Sequence, residues 1–516
     1  MIRPGILLVL DGWGAAPAAE GNAIAAARTP TLSALADRGA HTVLDASGPA
    51  VGLPDGVVGN SEIGHLVIGA GRALQYDSLL VQLAVESGEL GRHPVLRATC
   101  ARLAEGGGAL HIVGLCSDGR IHSDIAHLGQ LLHAAAAAGL DDVRLHAITD
   151  GRDVANGSAP AYLEKLTRLA AEAGAGRCVS VVGRNYAMDK SGNRTLTEQA
   201  AQLLVDGVGT AAVEEPGQAC AGHDDGWVPP TVVGPGSRVG AEDAVLFANF
   251  RSDRTSALAD LTADLLEQTG RPAVELLSLA QYDTAHEIAA LVLRADASGG
   301  LADALEQAGV RSVRVAEREK FEHVTFFLNG RDPRPRPYEE HVLVPTRVGD
   351  DYADHPEMNV AGVADEVCAA ARREEIGLVV ANLSNIDVVG HTGSYPGTVR
   401  ATEAVDAAVA TILAAAHETG RWVLLVGDHG NGEQMVQLAA DGSARPYGGH
   451  TDNLVPCVVV PPTGEGGQAL PNGGTLPAVA PTVLGLLGLD RPPTMDPPLP
   501  VPESALAVPP AGRSAR

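Results

Sequence analysis

Aromatic residues are scarce. Phe, Trp and Tyr make up 3 % of 516 residues, while apolar residues together reach 45 %. The chain therefore has material for substantial cores, but Ala, Val and Leu must fill them. Basic residues are also few, with 37 Lys and Arg against 63 Asp and Glu, for a formal net charge of −26. A field of that sign repels nucleic acid and anionic membranes and excludes both as partners. An anionic ligand must be drawn in by a local basic cluster acting against the global charge. The six cysteines (Cys100, Cys116, Cys178, Cys220, Cys368 and Cys457) are scattered without a C-x-x-C pair. That spacing suits a reducing cytoplasm and argues against a disulfide framework or a Cys-type zinc site. Long hydrophobic runs are missing too. No stretch approaches the ~18 uninterrupted apolar residues of a membrane span. The run from Gly5 to Leu10 meets Asp11 too early for a signal-peptide core.

What is present is a repeated grammar. The length of 516 residues predicts two or three domains. Short apolar runs, each closed by a polar cluster, recur along the chain. Gly5 to Leu10 precedes Asp11, Ala109 to Cys116 precedes Ser117-Asp118-Gly119-Arg120-Ile121-His122, and Val143 to Ile148 precedes Asp150-Gly151-Arg152-Asp153. Cys178 to Val182 leads into Gly183-Arg184 and Ala244 to Ala248 into Asn249-Phe250-Arg251-Ser252-Asp253-Arg254. Leu378 to Leu383 leads to Asp387 and His391, and Trp422 to Val426 to Asp428-His429-Gly430. Ala-rich helical stretches such as Leu128 to Ala138 and Ala401 to Ala416 lie between them. Strand, loop and helix in this alternation predict an α/β fold with mostly parallel sheets. Ligands in such folds bind beyond the carboxyl ends of the strands, where these polar clusters fall. Composition breaks near 77 and 297 predict a middle domain, 77–297, inserted into a domain built from 1–76 and 298–490. From about Arg491 to 516 the chain is Pro-rich with little apolar periodicity and is expected to be disordered or draped on the surface.

Ser61 sits in Gly59-Asn60-Ser61-Glu62-Ile63-Gly64-His65, with Gly69 and Gly71 close behind. Glycines permit tight turns and close approach of a ligand, so the stretch reads as a turn presenting a nucleophile. A serine hydroxyl is weak at neutral pH and needs a base or a metal ion. No Ser/His/Asp relay is legible, whereas Asp11, Asp387-x-x-x-His391, Asp428-His429 and His450 offer dispersed carboxylates and imidazoles. Each fragment alone reads equally well as a solvated helix face or a turn. Four of them, most after strand-like runs, favour metal ligation by Mn²⁺, Zn²⁺ or Mg²⁺. The middle stretch instead carries Arg152, Arg184, Lys190, Arg251 and Arg254, whose forks and charge suit phosphate and carboxylate. Lys320 by itself reads as a surface lysine.

Taken together these residues resemble the cofactor-independent phosphoglycerate mutases of the alkaline phosphatase superfamily. The resemblance is carried in order over about residues 1–485 by the Ser61 stretch, Asp150-Gly151-Arg152-Asp153-Val154 and Tyr186-Ala187-Met188-Asp189. It continues through Asn249 to Arg254, Glu319-Lys320-Phe321, His323-Val324-Thr325-Phe326-Phe327, Val389-Gly390-His391-Thr392-Gly393 and Asp428-His429-Gly430-Asn431. It implies an alkaline-phosphatase-like α/β sandwich formed by both ends of the chain, with an inserted α/β transferase domain. By motif position, one Mn²⁺ or Mg²⁺ ion falls to Asp387, His391 and His450, and a second to Asp11, Ser61, Asp428 and His429. Substrate phosphoglycerate falls to His122, Arg152, Asp153, Arg184, Lys190, Arg251, Arg254 and Lys320. Ser61 would carry the phosphoryl group between the two hydroxyls of glycerate, with Asp153 as acid and base and no 2,3-bisphosphoglycerate required. A cytoplasmic monomer is implied. Lys190 stands where the family usually has Arg, and no tryptophan-containing run follows it. That departure leaves room for a paralogue acting on a related phosphate or phosphonate acid.

Overall fold

The register of three adjacent strands sets the position of everything that follows. Gly5–Leu10 is flanked on both sides by parallel neighbours, Ile376–Leu383 and Trp422–Gly427. Leu10 pairs with Leu383 on one side and with Gly427 on the other. The next residues of each strand, Asp11, Ser384 and Asp428, therefore leave the sheet at one level. All three strands are buried along their whole length, and their near-continuous apolar sequences reflect cover on both faces. Gly5 is paired with Trp422, and a Cβ at Gly5 would stand 2.0 Å from the indole, so this position accepts only glycine without displacing the tryptophan.

This computed structural model describes residues 2–189, 193–334, 336–346, 351–438, 443–464 and 467–502. Two compact units are present, Met1–Gln75 with Asp296–Arg516, and Tyr76–Ala295. In the first unit the sheet runs Glu339–Val344, Arg311–Glu317, Ile376–Leu383, Gly5–Leu10, Trp422–Gly427, Val455–Val460, Ala40–Asp45 and Gln468–Ala469. Gly474–Thr475 also pairs with Ala40–Asp45. The helices Val360–Ala371 and Tyr395–Thr419 close one apolar core with Ile6, Leu8, Leu10, Val379 and Ala381. The Tyr395–Thr419 helix outruns the predicted Ala401 to Ala416 at both ends. Ser394 Oγ caps its start by accepting from the Gly397 amide, and Gly420, at φ 68°, ends it.

In the second unit the order is Ala289–Val292, Glu275–Ala280, Ala244–Phe247, Leu110–Leu115, Val143–Thr149, Arg177–Gly183, Thr231–Val233 and Ala211–Val213. The five central strands, from Glu275–Ala280 to Arg177–Gly183, run parallel. Helices Ile125–Ala137 and Ala159–Ala173 bury Leu128, Leu132, Leu163 and Leu166 in one core, and Arg194–Asp206 with Ser256–Gln268 bury Leu203, Leu204, Leu258 and Leu261 in another. The mixed α/β class follows, with strands where the apolar runs predict them.

Two expectations are corrected. The glycines around Ser61 do not form a loop. Ser61–Ala70 is an α-helix whose first residue is Ser61 and whose cap is Asn60, the Asn60 carboxamide oxygen accepting from the Ile63 amide at 3.0 Å. Such a cap stabilises a helix by about 1 kcal/mol. Gly64 and Gly69 serve close packing instead, since a Cβ would meet Asp428 at 2.8 Å at the first and the Leu328 carbonyl oxygen at 1.8 Å at the second. Nor is the start of the Pro-rich tail disordered. Met495 and Leu499 are buried, the Asp496 amide donates to the Gly71 carbonyl at 2.7 Å, and the Leu499 amide donates to Thr482 Oγ1 at 2.8 Å. Two anchors and two hydrogen bonds from backbone amides suffice where no periodicity announces them. Residues 503–516 lie outside the described residues. Among the described residues, no helix is long and apolar enough to cross a membrane.

Candidate functional site

The carboxyl ends of the three central strands of the first unit deliver its polar residues to one place. Asp11 follows Gly5–Leu10, and Asp428 and His429 follow Trp422–Gly427. Asp387 lies in the short helix Asn385–Gly390 that follows Ile376–Leu383, with His391 at its C-cap, so the i, i+4 spacing places both on one side. Ser61 enters from its own helix, whose N-terminal amides and dipole favour negative charge beside its hydroxyl. Ser61 Oγ lies 3.1 Å from Asp11 Oδ1, 2.9 Å from His429 Nε2 and 2.5 Å from Lys320 Nζ. Lys320 also donates to Asp11 Oδ1 at 2.9 Å and to Asp387 Oδ2 at 2.7 Å.

The donor set fits metal ions. Ligand atoms of Asp387, His429 and His450 lie within 4.8 Å of one another, and so do those of Asp11, Asp428 and His429. His391 adds to the first group, with its Nε2 3.3 Å from Asp387 Oδ1. His391 Nδ1 donates to the Gly448 carbonyl at 2.7 Å and His450 Nδ1 to the Gly59 carbonyl at 2.9 Å. Each carbonyl fixes its imidazole's tautomer and leaves Nε2 as a bare lone pair. Those two Nε2 atoms face each other at 3.1 Å. With Asp387 Oδ1 3.3 Å from each, the two nitrogens and the carboxylate oxygen converge as the ligands of one ion do. Asp11, Asp387 and Asp428 are buried with a single ammonium, Lys320, among them, and Asp428 Oδ2 is buried without a hydrogen-bond partner. Buried carboxylates in excess of their counter-charges call for cations.

The electrostatics follow from that crowding. Burial would raise the Asp11 carboxyl, but Lys320 and His429 hold it well below the ordinary carboxylate value. Asp387 is likewise lowered, burial being outweighed by Lys320. Burial would discharge Lys320, yet Asp11, Asp387 and Asp428 raise it, so it stays an ammonium. Against the same burial, Asp428 and Asp11 push His429 up to about 9. A metal ion at His429 must displace that proton.

The second unit gathers the arginines. Arg184 is buried and pairs with Asp150 and, at 2.8 Å, with Asp153. Asp150 Oδ1 also accepts from the Arg152 amide at 3.1 Å and the Asp153 amide at 3.0 Å, which folds the loop after Val143–Thr149 into a cradle. Arg251 and Arg254 approach Asp253 at 3.0 and 3.8 Å, and His122 Nδ1 lies 3.6 Å from the same carboxylate. Burial lowers Arg254, and the nearby charges of Arg152, Arg184 and Arg251 add to the effect, the signature of a cluster suited to an anion. Burial, assisted by Arg251 and Arg184 against Asp253, lowers His122 to about 4, so its imidazole is neutral at neutral pH. Asp153 is raised by burial and by Asp150, against Arg184. Asp153 Oδ2, His122 Nδ1 and Ser123 Oγ are buried without hydrogen-bond partners, as polar atoms awaiting a ligand are.

Placement is thus as follows. Asp11, Ser61, Asp387, His391, Asp428, His429 and His450 converge in the first unit. His122, Arg152, Asp153, Arg184, Arg251 and Arg254 converge in the second. Lys190 lies outside the described residues. Lys320 is no surface lysine. It is buried against the nucleophile, in the first unit. Sequence reasoning assigned nothing to His65, Asn382 or Glu433. Glu433 accepts from the Asn431 amide at 2.8 Å and from Thr451 Oγ1, tying the loop after Asp428-His429 to the loop after His450. Only the position of His65 inside the Ser61 motif could have drawn notice.

Comparison with known proteins adds the family. A family model described as the Metalloenzyme superfamily matches residues 3–491. The chain is 55 % identical to the 2,3-bisphosphoglycerate-independent phosphoglycerate mutase of Streptomyces coelicolor, over 95 % of this chain and 97 % of that one. It is 36 % identical to the protein of the same name from Methanococcoides burtonii, over 96 % and 97 %. A solved structure of Leishmania mexicana phosphoglycerate mutase, at low cobalt concentration, aligns with TM-score 0.75 and 28 % identity over 97 % of this chain and 98 % of that one. Near-full-length identity of this size, over a fold shared with a solved mutase, places the chain in the 2,3-bisphosphoglycerate-independent phosphoglycerate mutase family of metal-dependent isomerases.

Proposed function

We propose that this chain interconverts 2-phosphoglycerate and 3-phosphoglycerate through a phosphoserine at Ser61, without added 2,3-bisphosphoglycerate. The observation that carries the reading is Ser61 Oγ at a helix N-terminus, within hydrogen-bond reach of Asp11, His429 and Lys320. Asp387, His391 and His450 would hold one ion and Asp11, Ser61, Asp428 and His429 the other, with Mn²⁺ the expected metal and Mg²⁺ the alternative for this mixed N/O donor set. When bound, the ions supply Lewis acidity toward the serine hydroxyl and positive charge for the phosphoryl oxygens.

The chain's own residues do the remaining work. Ser61 Oγ donates to Asp11, and its proton would be lost to solvent when the ions bind, so that Ser61 attacks as the alkoxide and is freed as the alkoxide after the second transfer. The Lys320 ammonium donates to Ser61 Oγ and offsets charge as the alkoxide forms. Attack forms the Oγ–P bond and breaks the ester P–O bond, and the glycerate oxygen so released takes a proton from Asp153. In the second transfer Asp153 takes the proton of the other hydroxyl, which attacks phosphorus and frees Ser61. The raised Asp153, with one oxygen unpartnered, is suited to hold and return that proton. Arg152, Arg184, Lys190, Arg251, Arg254 and neutral His122 are assigned to the anionic glycerate. Losing it between transfers would turn the mutase into a phosphatase. A cytoplasmic monomer completes the proposal, to be checked by size-exclusion chromatography.

The test is direct. Purified protein with Mn²⁺ and 3-phosphoglycerate alone should yield 2-phosphoglycerate by ³¹P NMR. Free phosphate as the main product, or no turnover, would overturn the assignment.

A further inference from the structure

Beside Ser61 and the ligand aspartates runs a hydrogen-bond chain that the mechanism leaves unused. His65 lies one helical turn after Ser61, and its side chain and that of Asn382 are fully buried. His65 Nδ1 lies 2.8 Å from the Ser61 carbonyl oxygen and 3.3 Å from Asp428 Oδ2. Both neighbours are acceptors only, so Nδ1 carries the proton and Nε2 is the lone pair. Asn382 Nδ2 supplies the matching donor to Nε2 at 3.0 Å, and its other N–H donates to Asp11 Oδ2 at 2.7 Å. The carboxamide orientation is thereby fixed, because its oxygen could not face the Asp11 carboxylate. His323 packs edge-on against the imidazole at 5.3 Å.

Asn382 belongs to the strand Ile376–Leu383, where it pairs with Val9, two residues before Asp11. One imidazole thus ties the helix that presents the nucleophile, through Asn382, to the Asp11 carboxylate, and stands against Asp428 Oδ2 at 3.3 Å. We propose that His65 and Asn382 are a positioning pair that fixes Asp11 and Asp428 relative to Ser61. They touch neither phosphorus nor glycerate. The inference rests on Ser61 and the aspartates having the roles assigned above. Partners behind metal-ligating groups typically change metal affinity or activity by about 10–100-fold when removed.

The experiment uses the full chain. Asparagine at position 65 can keep the donor toward the Ser61 carbonyl but has no acceptor for Asn382. His65→Asn should keep its far-ultraviolet dichroism. Titration calorimetry with Mn²⁺ should show binding weakened by about 10–100-fold, and kcat should fall by a similar factor while KM for 3-phosphoglycerate stays within about twofold. His65→Leu, which loses both ends, should be worse than His65→Asn. Asn382→Ala should match His65→Asn, and the double variant should be no worse than either single, because both break one chain. Additive effects, or unchanged Mn²⁺ affinity in a folded variant, would overturn the proposal. Unfolding of both singles would assign the pair to stability alone and overturn it equally. An inactive wild type would refute the mutase reading, while the Mn²⁺ titrations would still decide the positioning role.

Discussion

Lys320 Nζ lies 2.5 Å from Ser61 Oγ and within 2.9 Å of both Asp11 and Asp387. One ammonium therefore serves the nucleophile and is shared between two carboxylates of the metal centre. Replacing it exposes both roles. Lys320→Met should lower kcat by about 10²–10³-fold, the usual cost of removing one preorganised donor from a developing oxyanion. It should also melt earlier than wild type in EDTA, since two buried carboxylates lose their counter-charge, and Mn²⁺ should restore much of that loss but not kcat. Equal melting temperatures in EDTA would show that the ammonium does not stabilise the carboxylates.

Ser61→Ala removes the hydroxyl while keeping a good helix former at the first helical position. Transfer should drop on the order of 10⁴-fold or more, as for other enzymes stripped of their nucleophile. Intact-mass spectrometry after mixing with substrate should show no phosphorylated protein, and the melting temperature should stay within a few degrees of wild type.

Metal removal should be reversible. The facing Nε2 atoms of His391 and His450, 3.1 Å apart, and the buried Asp428 Oδ2, which makes no hydrogen bond, gather at one place that cations would stabilise. EDTA should abolish activity and lower stability, by about 2.7 kcal/mol relative to protein with free metal at 100 times its dissociation constant. Mn²⁺ should recover both. A melting temperature unchanged by EDTA in metal-loaded protein would contradict the ligand set.

Arg184 pairs with Asp150 and Asp153 and is buried, so its planar fork matters as well as its charge. Arg184→Lys should reduce kcat/KM by about 10–100-fold, the scale of one or two charge-assisted hydrogen bonds. If it holds glycerate, more free phosphate should appear per mutase turnover. Product analysis by ³¹P NMR measures both, and an unchanged product ratio would separate Arg184 from glycerate retention.

Stability should depend on pH through a buried chain in the second unit. Asp243 accepts from His111 Nε2 at 3.0 Å, His111 Nδ1 accepts from His146 Nε2 at 2.8 Å, and His146 Nδ1 accepts from Ser180 Oγ at 2.7 Å. Burial lowers both imidazoles, and Arg144 adds to it, while Asp243 only partly opposes the shift at His111. As pH falls below about 6.5, the unfolded chain takes up these protons before the folded one does. Their contribution is therefore complete above that pH and is lost below it, by at most about 1.4 kcal/mol per pH unit for each histidine. Calorimetric melting between about pH 7 and pH 5.5 should show a shallower slope for His146→Asn than for wild type, whatever its absolute stability. An identical slope would remove His146 from the titrating set.

The strands, the parallel α/β class and the rise of chemistry at strand ends were legible in the sequence, because apolar runs and the polar clusters that close them are local patterns. The motif residues, Ser61, Asp387 with His391 and Asp428 with His429, were legible for the same reason. Lys320 was legible only through the Glu319-Lys320-Phe321 motif, since nothing in its own type or spacing distinguishes a surface ammonium from one buried against Asp11, Asp387 and Ser61. Not legible was the helix beginning at Ser61, where glycine content suggested a turn while close packing on Asp428 and Leu328 is what glycine serves. The contact of the Met495 segment with Gly71 and the link from Asn382 to His65 depend on partners more than 300 residues away. Local sequence determined which groups this protein could use; the pairing of Leu10 with Leu383 and Gly427 decided which of them meet, because strand register, a long-range property, sets the level at which each side chain leaves the sheet.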